Sequence, residues 1–106
     1  MDSMNIEALK QILQSWINEG YSEGEMSVEP EWYVLWHPDE IEEINRDYQL
    51  PEYAPGFVTF GGNGGGELLV VNDEGDVFYL PAIGMAPDTA IKIARSLQEF
   101  KGFMQK

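Results

Sequence analysis

The sequence predicts an α+β fold: a small antiparallel or mixed sheet of four or more strands, covered by three helices. Three observations carry this. Apolar residues recur at helical spacing near both ends and once between them, β-branched and aromatic runs cluster in the middle, and Gly-, Pro-, Asn- and Asp-rich strings separate those runs. Strands grouped between helices point to a sheet with helices laid on it. The 106 residues suit a single domain over residues 1–106. A chain of this size buries roughly two-thirds of its unfolded surface, enough for one core without staples.

The first helix is expected over residues 6–18. Ile6, Leu9, Ile12, Leu13, Trp16 and Ile17 make one apolar face, Asn5 can cap the start, Glu7 suits the dipole there, and Gly20 suits the stop. An acid-rich connector, residues 21–27, follows. Residues 28–36 (VEPEWYVLW) read as a strand with Trp32, Val34 and Trp36 on one face, starting after Pro30 or lying at an edge. A second helix should begin near His37, with Pro38 in its first turn and Asp39 and Glu40 meeting its dipole. Ile41, Ile44 and Tyr48 share its inner face, and Leu50-Pro51 ends it. PEYAPG is turn material before a short strand at residues 57–60. Residues 61–66 (GGNGGG) interrupt, and residues 67–71 resume as a strand. NDEGD (residues 72–76) reads as a hairpin turn with Gly75 able to take positive φ, returning through residues 77–80. A last helix is expected from Asp88 to about Phe103, with Ala90, Ile93, Ala94, Leu97, Phe100 and Met104 buried. Neither an internal repeat nor an interdomain linker is visible.

Nineteen acids stand against six bases, a net charge of −13. Residues 1–50 hold twelve acids and two bases; residues 51–106 hold seven and four. Such a surface repels phosphate backbones and anionic membranes, so neither nucleic acid nor membrane is an expected partner. It would attract a basic protein, and electrostatic steering raises association rates by about 10- to 1000-fold at low salt. Acidity also serves solubility alone. Without cysteine there are no disulfides and no thiolate metal sites. With no signal-peptide pattern and no run of ~20 apolar residues, a soluble cytoplasmic protein is the expectation.

The glycine-rich segment invites a phosphate-loop reading, but such a loop leads into a helix and usually carries a base. This one leads into the β-like run ELLVV, has no base, and ends on Glu67. Its glycines are expected to allow a positive-φ connection or close backbone approach. NDEGD lacks the twelve-residue span and distal glutamate of a calcium loop. His37 is the sole histidine, which argues against zinc and leaves it the role of bordering a helix. No nucleophile, base and acid set carries a local signature. Neither catalytic nor metal-binding residues are expected, and no cofactor. Trp32, Tyr33, Trp36, Tyr48, Tyr53, Phe57 and Phe60 are expected to be core for the most part; any that are exposed beside acids would make interface anchors.

Residues 35–71, LWHPDEIEEINRDYQLPEYAPGFVTFGGNGGGELLVV, bear a family likeness. The spaced residues are Asn45 and Tyr48 on a helix, Pro55-Gly56, Phe60-Gly61, then Gly64, Gly65, Gly66 and Glu67, with Ala94, Ser96, Leu97 and Phe100 in the closing segment. This pattern resembles the SUKH superfamily, which includes fungal cell-wall-synthesis regulators and bacterial toxin-immunity proteins. The likeness spans roughly residues 14–103. Leu97 stands where an aromatic is usual, Asn18-Glu19-Gly20 where Asn-Gly-Gly is common, and the extra N-terminal helix and Leu-Pro segment of longer members are expected to be missing. The resemblance implies a SUKH-like, non-enzymatic α+β domain that binds proteins, in bacteria often a toxin, frequently a nuclease, encoded beside it.

The acid surplus agrees with that implication, because a nuclease surface that accepts phosphate is basic. The expected contacts are Glu23, Glu25, Glu29, Glu31, Glu40 and Glu43, in a protein that is a monomer or weak homodimer and whose partner is a basic toxin domain. The alternative is a housekeeping scaffold or regulator without a toxin partner. The neighbouring gene discriminates between the two. A small hydrolase is the third class, and would need a concave pocket with converging titratable groups.

Overall fold

In the computed structural model, which describes residues 5–106, Asn5 accepts the Ala8 N–H at 2.8 Å and so starts α1 (Ile6–Asn18). The elements that follow are β1 (Glu23–Glu25), β2 (Trp32–Leu35), α2 (Ile41–Asp47), α3 (Leu50–Tyr53), β3 (Phe57–Gly62), β4 (Glu67–Asn72), β5 (Val77–Pro81), β6 (Ile91–Ala94) and α4 (Leu97–Lys101). Single 3-10 turns at Pro38–Glu40 and Pro87–Thr89 precede α2 and β6. Among the described residues the six strands form one sheet in chain order, and every neighbouring pair is antiparallel. The mixed-sheet option therefore falls away.

Both faces of the sheet are covered. On one, Leu9, Leu13 and Trp16 of α1 and Leu97 and Phe100 of α4 pack on Tyr33, Leu35, Phe60, Leu69, Val71, Val77 and Tyr79. Phe100 stacks on Trp16 (centroids 6.1 Å apart) and meets Phe60 edge-on at 5.3 Å, joining helix, helix and strand in one aromatic group. On the other, Leu50 and Ala54 beside α3, with Met85, cover Leu68, Val70 and Leu80. Burial on both faces explains why β4 is apolar without alternation.

Four expectations are corrected. The expected helix from Asp88 to Phe103 is instead a 3-10 turn, strand β6 and the short helix α4, while the unforeseen α3 raises the helices from three to four. Ile91-Lys92-Ile93 pairs with β5, and Ser96 then caps α4 by accepting the Glu99 N–H at 3.0 Å. The connector after α1 contains β1, which forms a hairpin with β2. Leu50-Pro51 begins α3 rather than ending a helix, because Gln49 turns left-handed (φ 60°) and Pro51 suits a first turn. Trp32 and Val34 do share a face, but the buried members of β2 are Tyr33 and Leu35.

Asn72 folds back on the β4–β5 hairpin as a turn residue should, accepting from Glu74 N–H at 3.0 Å and Asp76 N–H at 2.9 Å. Pro55 and Gly56 lie exposed between α3 and β3. Among the described residues no helix is long and apolar enough to cross a membrane.

Candidate functional site

An antiparallel meander sends alternate connections to opposite ends. The β1–β2 turn, the β3–β4 loop and the β5–β6 loop therefore meet at one end of the sheet. A hydrogen bond from Ala82 N–H to Gly66 O at 2.9 Å ties the last two together. Residues directly opposite across a ladder share a face. The register sets Glu25 beside Trp32, and Glu23 beside Val34 and then Gly62. Glu23, Glu25, Trp32 and Val34 thus form one stripe on the face opposite Tyr33 and Leu35.

The β1–β2 turn carries two more acids. Glu29 and Glu31 are exposed, and Glu31 holds left-handed backbone (φ 75°), a conformation that costs a non-glycine residue roughly 1–2 kcal/mol. Two backbone bonds hold it there: Met26 N–H to Glu31 O at 3.0 Å, and Glu31 N–H to Val28 O at 2.8 Å. Burial pushes the Tyr79 hydroxyl above its ordinary pKa, and the negative charges of Glu29 and then Glu67 push it further. Both carboxylates consequently act on the same ring, one from the turn and one from the start of β4.

None of Glu23, Glu25, Glu29 or Glu31 forms an ion pair among the described residues. Four of the six bases are engaged elsewhere: Lys10 with Glu42 (2.9 Å) and Glu7, Lys92 with Asp76 (3.4 Å), Lys101 with Glu19 (2.9 Å), and Lys106 over the Tyr21 ring (5.2 Å). Glu40 and Glu43, the other two expected contacts, are also exposed, but they belong to the β2–β3 connection, with Glu43 on α2. Glu23 and Glu25 thus share a strand face, Glu29 and Glu31 lie in the adjoining turn, and Glu40 and Glu43 lie on a separate connection.

Asn63 shapes the glycine loop, accepting from Gly65 N–H at 2.9 Å and Glu67 N–H at 3.0 Å while its own amide donates to Glu67 Oε1 at 2.8 Å. Gly66 sits at φ 107°, which side chains rarely adopt. Gly61 has a different constraint: a Cβ there would stand 2.6 Å from Val34 O. The Gly65 and Glu67 N–H groups thus turn inward to Asn63. Gly64 and Gly65 are exposed.

The helix motif residues divide. Asn45 is buried against β3, whereas Tyr48, at the C-cap of α2, is exposed. Phe60 is fully buried. Beside the loop lies a cleft of about 200 Å³, bounded among others by Trp36, Tyr48, Gly62, Gly64 and Glu67. His37 borders the 3-10 turn, its ring nitrogen accepting the Asp39 N–H at 3.3 Å. Among the described residues no three His, Cys, Asp or Glu side chains lie close enough together to hold a metal ion.

Trp32 and Tyr53, named among the aromatics expected to be core for the most part, are 39% and 50% exposed, and Ile83, which sequence reasoning did not single out, is 92% exposed. The alternation of β2 against its hairpin partner could have exposed Trp32; for Ile83 only its place between Pro81 and Gly84 gave a hint.

The model of the SMI1 / KNR4 family (SUKH-1) matches residues 6–101, nearly the whole chain. No curated protein matches the chain significantly.

Proposed function

The chain belongs to the SMI1 / KNR4 family (SUKH-1), and from that premise we propose that it works without catalysis, as a module that binds a cationic protein through the acidic end of its sheet. The family includes toxin-immunity proteins and fungal regulators. Of these roles the acidic surface favours immunity: the partner is a basic toxin domain, a nuclease by this reasoning, and the chain neutralises it in the cytoplasm.

One observation carries the reading. Glu23, Glu25, Glu29 and Glu31 are exposed and form no ion pair among the described residues, and Glu25 and Glu31 adjoin the part-exposed Trp32. Unpaired carboxylates leave their field open to solvent, where it steers an oppositely charged partner. A tryptophan among them supplies apolar contact area of the kind that dominates binding hot spots. On a nuclease, such carboxylates would occupy the place of substrate phosphates. Glu40 and Glu43 add to the same field from α2.

The test is the association rate with the toxin domain encoded beside the gene, at low and at raised salt. The reading expects binding whose on-rate falls steeply with salt, since screening shortens the reach of exposed charges to about 10 Å at 0.1 M. Affinity indifferent to salt would reject the electrostatic part. Absence of binding would reject the immunity role.

A further inference from the structure

The cleft beside the glycine loop is walled by two aromatic side chains, Trp36 and Tyr48. Trp36 is half-buried, and its indole Nε1–H donates to Thr59 Oγ1 at 3.0 Å, which pins the ring. Gly62 lies so near that a Cβ there would stand 3.0 Å from the Trp36 ring, so the glycine lets backbone and indole meet. Tyr48 is 40% exposed and lines the cleft without a hydrogen bond from its hydroxyl among the described residues. Gly64, Gly66, Leu68 and Ala82 complete the lining, with Glu67 as its one ionisable carboxylate residue.

The chemistry of the lining narrows the occupant. No base lines the cleft. A net charge of −13 repels anions. At about 200 Å³ the space is below the ~300–1,000 Å³ of ordinary small-molecule sites. What suits it is a single long side chain with a delocalised positive charge, because guanidinium groups stack on Trp and Tyr faces and are drawn to their electrons.

We infer that this cleft seats one arginine side chain of the protein partner, between Trp36 and Tyr48. The inference rests on the protein-binding reading above and adds the chemistry of one contact to it.

The experiment needs no partner, so its failure is separable from failure of that reading. Nα-acetyl-arginine amide is titrated into ¹⁵N-labelled full-length protein, with the citrulline analogue as the uncharged isostere. The expected result is a saturable shift of the Trp36 indole signal and of the Gly62, Gly64 and Gly66 amides by arginine, with binding about three- to fivefold weaker for citrulline. Tyr48→Ala abolishes the shift and Tyr48→Phe keeps it; Tyr48 is at the surface, so the fold is retained in both. Equal shifts with citrulline, shifts confined to Glu23, Glu25 and Trp32, or no shift would each overturn the inference. In the second case the acidic stripe would stand while the cleft would not.

Discussion

The side-chain amide of Asn45 lies against the backbone of Thr59 as a neighbouring strand would: Thr59 N–H donates to Oδ1 at 2.9 Å, and Nδ2 donates to Thr59 O at 3.1 Å. Nδ2 also donates to Ile41 O at 2.8 Å, so one buried amide joins α2 to β3 beside the bulge between Thr59 and Gly61. The Thr59 hydroxyl, within 2.9 Å of Leu69 O and accepting from Trp36, continues the link into β4. The Asn of the family pattern thus has a structural task.

Asn45→Ala would leave the Thr59 N–H and two carbonyls buried without that partner. Each such group costs about 1–3 kcal/mol, and partial relaxation brings the expected total to roughly 2–4 kcal/mol. Urea unfolding measures it as a lower midpoint with unchanged slope. A loss below about 1 kcal/mol would show that the amide is dispensable.

The outer edge of β1 is closed by the chain's own end. Gln105 N–H donates to Glu25 O at 2.9 Å, Ser27 N–H donates to Phe103 O at 3.0 Å, and the Tyr33 hydroxyl donates to Gln105 O at 2.6 Å. A Cβ on Gly24 would stand 2.6 Å from that same Gln105 O. Gly24→Ala is therefore expected to displace residues 103–105, speeding hydrogen exchange at Gln105 and Ser27, with a stability loss of about 1–3 kcal/mol. Unchanged exchange at both amides would contradict the account. The closure covers the edge of β1 and leaves its face open, as the proposed partner surface requires.

Lys101 holds the Glu19 carboxyl below the ordinary glutamate value, chiefly by hydrogen bonding, and Lys10 does the same for Glu42. A carboxyl depressed on folding stabilises the fold above its unfolded pKa, and that contribution is lost as pH falls through the folded value. Carboxyl ¹³C titration should place both groups low. Lys101→Met should return Glu19 upward and leave Glu42 in place, and the stability gap between wild type and variant should shrink as the pH falls through that range. A gap that grows on acidification would invert the sign and reject the pairing.

Helix α1 was legible because one solvent-facing side and one apolar side leave a single solution, and the glycine loop because no base or helix accompanies it. The closing segment was not. Ala90, Ile93, Ala94, Leu97 and Phe100 satisfy a helical period, yet Ile91 and Ile93 also alternate as a strand, and pairing with β5 decided between them. The Ser96-x-x-Glu99 spacing, a helix-start signature, marked the true boundary. In β2 five consecutive apolar residues, Trp32 to Trp36, carry no parity of their own; the hairpin with β1 set it, with Tyr33 turned toward the core over Gly24. The acids were legible as charge, but the placing of Glu23 and Glu25 on the face of Trp32 depended on that unrecognised hairpin. Glu40 and Glu43 were grouped with them by charge and sequence proximity, and sit on the connection between β2 and β3.

The central claim is that the carboxylates around Trp32 recruit a cationic protein. It is tested most directly by stopped-flow association of the adjacent-gene toxin domain with wild type and with the Glu23→Gln, Glu25→Gln, Glu29→Gln, Glu31→Gln variant, across a salt series. The account predicts an on-rate at least about tenfold lower for the variant at low salt, converging with wild type as salt rises. Equal on-rates with parallel salt dependence would contradict it, and would leave these four side chains as solvated surface.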